Sequence, residues 1–503
     1  MVSMERTSSG LRAEAHTSAC WWPRSIRLVL LALALAQAPR SAWAGEPPAD
    51  EPPLLSVQRL REAGDLAGAA SKASAIAHTA GAAVEAHIAY QDLMRDLGRD
   101  APLAVEYRDR ARSETATADD LYLFARLLRG AKAVAQYRAA LRADPAHFRA
   151  LCGLGNELID AADLRGAEKA YSEARTARAE SGLPWNGLAR VAEAKGDRAA
   201  AETGYRKAIE LSPKLIVARV NLAVLLVALG RSKDALAVLD AAAAAAPKDP
   251  LPLVARGVVA IKDGRDEDAV RAFEAALAVD GRSVATLAML ASTYLNLNKI
   301  DLAEKAVTRA LEIAPNTASV QVSAASFRLA KGEVAQARTA AERAVALDDQ
   351  NPTAQFVLAR AMERGGDARK AEIAYKKAVK LEETNPVFVR ALAQYLGRQD
   401  RWKDAVKSFE RVVELSRCSP ESLYDLGLAQ VGAAEPKRAV ETFEQLVAMQ
   451  PDHLNGWLKL GILYRERVRD ATRALKALRT YQEKGGKDAR VKTWIAELDK
   501  PGK

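Results

Sequence analysis

The sequence predicts an all-α protein built as a solenoid of helical hairpins, and three observations carry that prediction. Of the 503 residues, 49% are hydrophobic but only 5% aromatic. The core is therefore filled by Ala, Leu and Val, small residues suited to helices, and not by bulky strand formers. An alanine column runs through the chain at a fixed period: Ala133, Ala167, Ala201, Ala235, Ala269, Ala303, Ala337, Ala371, Ala405 and Ala439 follow one another every 34 residues. Glycine divides many of these periods (Gly196, Gly230, Gly264, Gly332, Gly366), and proline closes several (Pro213, Pro247, Pro315, Pro451). Length alone would suggest three or four globular domains. A fixed period of this size indicates stacked repeats instead.

The elements follow in chain order. Residues 1–44 have the three parts of a secretory leader. Arg24 and Arg27 supply charge, Leu28 to Ala38 is an apolar run, and Ala42-Trp43-Ala44 offers small residues at the cleavage positions, so the mature chain is expected to begin at Gly45. The run has eleven residues, short of the roughly 20 that span a bilayer as a helix. No Cys follows it and no Arg-Arg pair precedes it, which argues against a lipid anchor and for the general export route; Met4 is an alternative start. The expected location is the periplasm or outer envelope, with no membrane span after cleavage. Gly45 to Pro53 is Pro-rich and acidic and reads as a linker.

Residues 54–113 read as two degenerate helical hairpins, hinged at Gly64-Asp65 and Gly98-Arg99. Residues 114–487 hold about eleven repeat units, with 148–453 in strict register and the first helix of the unit at 114 about one turn short. Four places after the alanine column stands a large apolar residue (Tyr137, Tyr171, Tyr205, Leu239, Phe273, Val307, Tyr375, Phe409, Phe443), with Ala341 the exception. Three places further on, Ala returns from Ala140 to Ala378, and Val412 and Leu446 replace it at the end. The upstream half carries Trp185, Leu188, Ala189 and Ala192, or Leu287, Leu290, Ala291 and Tyr294, or Trp457, Leu460, Gly461 and Tyr464. Each half shows the spacing of one helix face. In the last unit Ala474, Leu478 and Tyr481 are displaced by one residue, and 488–503 reads as a capping helix and tail.

These residues resemble the tetratricopeptide repeat: W/L-x-x-L-G/A-x-x-Y/L, then A-x-x-x-F/Y-x-x-A, then P. The resemblance implies a right-handed superhelix, and a chain that binds other proteins in a groove lined by the first helix of each unit. It also implies that positions 2, 5, 9, 12 and 13 face that groove. At those positions Val217, Val220, Val224, Val227, Leu251, Val254, Val258, Ile261 and Leu295 form an apolar stripe. Asn156, Asn186, Arg190 and Glu193 precede it; Arg360, Glu363, Arg364, Arg390, Gln394 and Arg398 follow. Two readings of the stripe stand side by side: a groove floor that meets a partner, or packing between adjacent helices. On the first, Val220, Val224, Val227, Val254, Val258, Ile261 and Leu295 take the apolar side of a partner segment, and Arg360, Arg364, Arg390 and Arg398 meet its acidic residues. The clamp by which some such repeats hold a chaperone's carboxylate is missing: Asn221 is in place, but Asn186 and Arg190 precede it and Leu251 and Ala255 follow.

Once leader, hairpins, repeats and cap are assigned, no stretch of ~100 residues remains for a catalytic domain. No phosphate loop, Ser/His/Asp arrangement or metal-spaced cluster is legible, so neither enzyme activity nor a cofactor is expected. His78, His87, His147 and His453 are scattered, and His78 and His87 read as solvated surface residues. Cys152 and Cys418 stand 266 residues apart, too far along such a stack to pair. The formal charge of +10 falls to +7 when residues 1–44, with five Arg and two Glu, are removed. Residues 352–419 hold fourteen Lys and Arg against nine Asp and Glu. Basics mixed with acids, on an exported chain, argue against nucleic acid as partner; an anionic envelope polymer or lipid is the other ligand class for that stretch. Exported repeat proteins of this kind scaffold pilus, gliding-motility, secretion or polysaccharide-export assemblies, which sets the functional expectation by analogy.

Overall fold

The structure, a computed structural model, describes residues 52–499 apart from 63, 64, 80, 98, 100 and 417. The leader, its cleavage site and the first part of the linker lie outside the described residues. Every element is helical. The helices are α1 (Pro52–Glu62), α2 (Leu66–Ala77), α3 (Val84–Asp96), α4 (Ala101–Ala111), α5 (Ala118–Ala125), α6 (Gly130–Ala143), α7 (Phe148–Asp160), α8 (Leu164–Ala177), α9 (Leu183–Ala194), α10 (Arg198–Leu211), α11 (Ile216–Ala228), α12 (Ser232–Ala245), α13 (Leu251–Lys262) and α14 (Asp266–Val279). After them come α15 (Val284–Asn296), α16 (Ile300–Ile313), α17 (Ala318–Lys331), α18 (Val334–Leu347), α19 (Pro352–Arg364), α20 (Ala368–Leu381), α21 (Pro386–Arg398), α22 (Trp402–Leu415), α23 (Pro420–Gly432), α24 (Pro436–Met449), α25 (Leu454–Leu463), α26 (Ala471–Glu483) and α27 (Ala489–Leu498). Odd numbers up to α25 are the first, or A, helices of hairpins and even numbers are the B helices. The chain forms two compact bodies, divided between Thr286 and Leu287 in the first turn of α15.

Each body is a stack of hairpins held by the repeat residues. All ten members of the alanine column are fully buried, because a methyl group there lets A and B helices of one hairpin approach closely. The residues four places on are buried as well, Ala341 included, and so is the whole column from Ala140 to Leu446. Gly257 shows how tight the approach is: a Cβ there would lie 2.4 Å from the Phe273 ring. Each closing proline stands two residues beyond its B helix, as after Leu211, Ala245, Ile313 and Met449, where its missing N–H and fixed φ stop the helix.

The A–B turn is a second constant of the fold. The residue at position 15 is left-handed in unit after unit: Gly196, Gly230, Gly264, Gly332 and Gly366, but also Ala162, Asn298, Asp400 and Ala434. The next N–H then bonds back to a carbonyl five residues earlier, as in Asp197 to Ala192 (2.9 Å) and Arg231 to Leu226 (2.8 Å). That bond satisfies a carbonyl otherwise orphaned at the helix end.

In the last unit Tyr464–Val468 is a π turn, Arg469 takes the left-handed place, and Asp470 N–H reaches Tyr464 across six residues. One inserted residue, absorbed by this wider turn, accounts for the displacement of Ala474, Leu478 and Tyr481. At the other end the first helix starts at Pro52, inside the expected linker, since proline is well placed in the first turn of a helix. α5, with 8 residues, is the short A helix that the sequence indicates.

Candidate functional site: the A-helix face

Successive A helices lie side by side within each body, and their polar side chains bridge the step from one repeat to the next. In the first body Arg126, itself buried, donates to Asp92 (2.9 Å) and Gln91 (3.0 Å). Arg190 donates to Asn156 (2.6 Å), Asn221 to Asn186 (3.0 Å), and Lys262 to the Val227 carbonyl (2.6 Å). In the second body Arg364 donates to the Leu329 carbonyl, Arg398 holds Glu363 at 2.6 Å and Arg390 lies 3.2 Å from Asp425. Partners in this ladder stand 34 or 35 residues apart. The repeat register thus sets like or adjacent positions of successive A helices against each other, most often 13 against 12.

The ladder corrects the expectation for the arginines. Arg364, Arg390 and Arg398 are not a free cationic surface, because each is engaged by the chain itself. Burial pushes the Asp425 carboxyl up to about 6 despite the nearby Arg390 guanidinium. Glu363 also accepts the Tyr375 hydroxyl (2.8 Å). Along 352–419 further cations have acidic neighbours: Arg401 meets Glu372 and Asp404, Lys376 meets Glu372, Lys370 meets Asp367 and Arg411 meets Glu414.

Arg360 differs. Among the described residues it has neither hydrogen bond nor ion pair, and its guanidinium sits 5.7 Å from the Phe356 ring centre. Its surroundings desolvate it enough to pull its pKa below the usual arginine value, with Arg364 and Arg398 adding to that pull.

The apolar stripe is corrected too. Val220, Val227, Val258 and Ile261 in the first body, and Leu295 in the second, are buried. Only Val224 and Val254 of the proposed contact residues keep partial exposure. α11 shows why. Val220, Leu222, Ala223, Leu225, Leu226 and Val227 belong to one core cluster with Ala255 and Val259 of α13, so the neighbouring A helix covers the side that the groove reading left to solvent. A helix apolar on all sides is a buried helix.

Four to seven repeats later the same positions leave more apolar side chains partly exposed. Tyr424, Leu428 and Val431 of α23, with Leu458 and Ile462 of α25, are partly exposed at positions 5, 9 and 12. The longest valine run in the sequence does not reach these residues. The groove positions, carried along the register, would have found them.

The histidines are structural. His147 and His453 accept helix N-terminal N–H groups, and His147 also bonds Asp119 (2.8 Å). His78 is exposed and bonds Glu106 (3.0 Å). His87 is a correction: it is 2% exposed and bonds the Tyr107 hydroxyl (2.9 Å), and desolvation lowers its pKa to about 4. Cys152 and Cys418 are free, and burial pushes the Cys152 thiol up to about 12. Among the described residues no cluster of His, Cys, Asp or Glu is suited to a metal ion, and no helix is long and apolar enough to cross a membrane.

Solved structures of similar fold include the APC/C hetero-tetramer Cut9-Hcn1, at 14% identity and TM-score 0.41, over 89% of this chain and 95% of that one. The human IFIT1 dimer, solved with PPP-AAAA and with m7Gppp-AAAA, aligns at 20% identity and TM-score 0.44 over 63% of this chain and 80% of that one. No curated protein matches. Tetratricopeptide-repeat family models match residues 192–255 and 260–325, and residues 152–216, 323–386 and 424–489. Together these matches cover more than half of the 503 residues, and the chain belongs to the tetratricopeptide-repeat family.

Proposed function

We propose that this chain is a non-enzymatic scaffold or adaptor of the bacterial cell envelope that holds a segment of a partner protein along its A-helix face. Such a scaffold would serve an assembly of the pilus, gliding-motility, secretion or polysaccharide-export kind. The supporting observation is the row Tyr424, Leu428, Val431, Leu458 and Ile462, five apolar side chains partly exposed on two successive A helices, where much of the same face in other repeats is taken up by packing and by the polar ladder. A partner segment with apolar residues at helical or extended spacing would cover them. The pairing of most cations in 352–419 favours a protein partner over an anionic polymer or lipid. The envelope location rests on the leader pattern of residues 1–44.

The test is capture from native envelope extracts with the mature chain and with Leu428→Asp and Ile462→Asp. Burying one such side chain contributes about 1.5 kcal/mol or more, so each substitution is expected to lower recovery of the specific partner about tenfold while the circular dichroism spectrum holds. Leu428 also packs against the core of its hairpin, so Leu428→Asp is expected to lose some melting temperature and Ile462→Asp to keep it. Unchanged recovery would remove this face from the binding surface. N-terminal sequencing is expected to return Gly45; Met1 or Met4 in the membrane fraction would overturn the location.

A further inference from the structure

We propose that Ser326 and Arg360 form an anchor for the carboxylate of an acidic residue in a bound peptide. The inference deepens the partner-binding reading of the A-helix face and rests on it. Its basis is a pair of orphaned polar groups brought together by the repeat register.

Both residues occupy position 9 of successive A helices, α17 and α19, in the second body. In the first body the same two positions are Asn156 and Arg190, and there the guanidinium donates to the amide oxygen at 2.6 Å. The register therefore sets position 9 of one A helix against position 9 of the next. In the second body that pairing is not completed. Ser326 is 7% exposed, and its Oγ is buried without a hydrogen-bond partner. Arg360, at the same position of the next A helix, has no hydrogen bond or ion pair among the described residues, only the Phe356 ring beside it.

A buried hydroxyl and a desolvated guanidinium left without partners are both costly, and one ligand removes both costs. A planar carboxylate accepts two N–H bonds from the guanidinium fork and one O–H bond from the serine. The neighbours select the charge. Glu363 is already occupied by Arg398 and Tyr375, and Arg364 is held on the Leu329 carbonyl. One uncommitted guanidinium remains, which suits a monoanion and so a carboxylate over a phosphate dianion. Val322, partly exposed at position 5 of α17, and the exposed Gln394 at position 9 of α21 extend the face on either side of the pair. The occupant is therefore a side-chain or terminal carboxylate carried on a peptide.

The experiment uses the mature full chain and an array of short synthetic peptides, each made with Asp or Glu, with Asn or Gln in their place, and with phosphoserine in their place. Affinities of captured peptides are then measured by fluorescence anisotropy for wild type, Arg360→Gln, Arg360→Lys and Ser326→Ala. The wild type is expected to prefer the acidic form over the amide form about tenfold, the size of a charge-assisted bond. Arg360→Gln is expected to abolish the preference and Arg360→Lys to restore part of it. Ser326→Ala is expected to weaken acidic binding without lowering the melting temperature, since it removes an unsatisfied hydroxyl. That variant keeps the test decisive if Arg360→Gln folds poorly. Capture without acid preference, or a preference that survives in Arg360→Gln and Ser326→Ala, overturns the anchor and leaves the partner-binding reading standing. Tighter binding of the phosphoserine form overturns it in favour of a phosphate site. Capture of no peptide also overturns the anchor, and the partner-binding reading is then decided by the envelope capture experiment.

Discussion

At position 15 of each repeat the backbone requires a left-handed residue, and the chain meets that requirement with two chemistries. Gly196, Gly230, Gly264, Gly332 and Gly366 adopt it freely, while Ala162 (φ 59°) and Ala434 (φ 61°) adopt it with a Cβ. An L-residue with a Cβ pays roughly 1–2 kcal/mol there, partly offset because glycine has more unfolded-state entropy to lose. Ala162→Gly and Ala434→Gly are therefore expected to stabilise their hairpins by about 0.5–1 kcal/mol each, measured by chemical denaturation. Gly332→Ala is expected to do the reverse. A loss of stability in both alanine-to-glycine variants would contradict the turn geometry. The glycine column was visible in the sequence, but its continuation through Ala162, Asn298, Asp400 and Ala434 was not, because composition marks such a turn only when glycine fills it.

At the scale of the hairpin, close A–B packing was the most legible feature, because it depends on residue size at fixed spacing. Gly257 against Phe273 is its tightest expression in the α13–α14 pair, with the phenyl ring wholly buried and no room for a methyl group. Gly257→Ala is expected to overpack the pair and cost about 1–3 kcal/mol. Phe273→Leu alone is expected to destabilise by leaving space, and the double variant to recover part of the loss, so the two effects are not additive. Additive losses would show that the ring and the glycine do not share one contact. The π turn at Tyr464–Val468 was legible only as a one-residue displacement. A sequence shows that a residue has been inserted, while the backbone decides whether a loop or a helix absorbs it.

At the scale of the whole chain, fold and surface were unequally legible, for a physical reason. The alanine, aromatic and second alanine columns are set by contacts inside a hairpin or with its neighbour, which repeat without change. Exposure on the A-helix face depends instead on which side chain the next A helix presents. That is why Val220 and Val258 are buried while Leu428 and Ile462, at equivalent kinds of position, are partly exposed. The same nearest-neighbour logic makes stability local, since each hairpin of such a stack holds only to its neighbours. His87 provides the test. It lies buried between α3 and α4 residues, bonded to Tyr107, with its pKa lowered to about 4 by desolvation first and by Arg110 second. The unfolded histidine titrates near 6.5, so between pH 6.5 and 4 the unfolded state binds more protons and stability rises with pH. The stabilising contribution is complete above 6.5 and is lost as pH falls towards 4, by at most about 3 kcal/mol. Asp120 does not confound this window, because its carboxyl is held below its ordinary value by the Thr117 and Arg110 hydrogen bonds, against desolvation, and titrates at lower pH. Hydrogen exchange at pH 4.5 against pH 7, corrected for intrinsic rates, is expected to show lost protection in α3 to α5 and little change in α9 to α12 of the same body. In His87→Gln, which keeps a partner for Tyr107 and removes the titration, the acid-induced loss in α3 to α5 should disappear. Equal loss in α9 to α12 would mean that the first body unfolds as one cooperative unit, and loss that persists in His87→Gln would assign the acid sensitivity to another group.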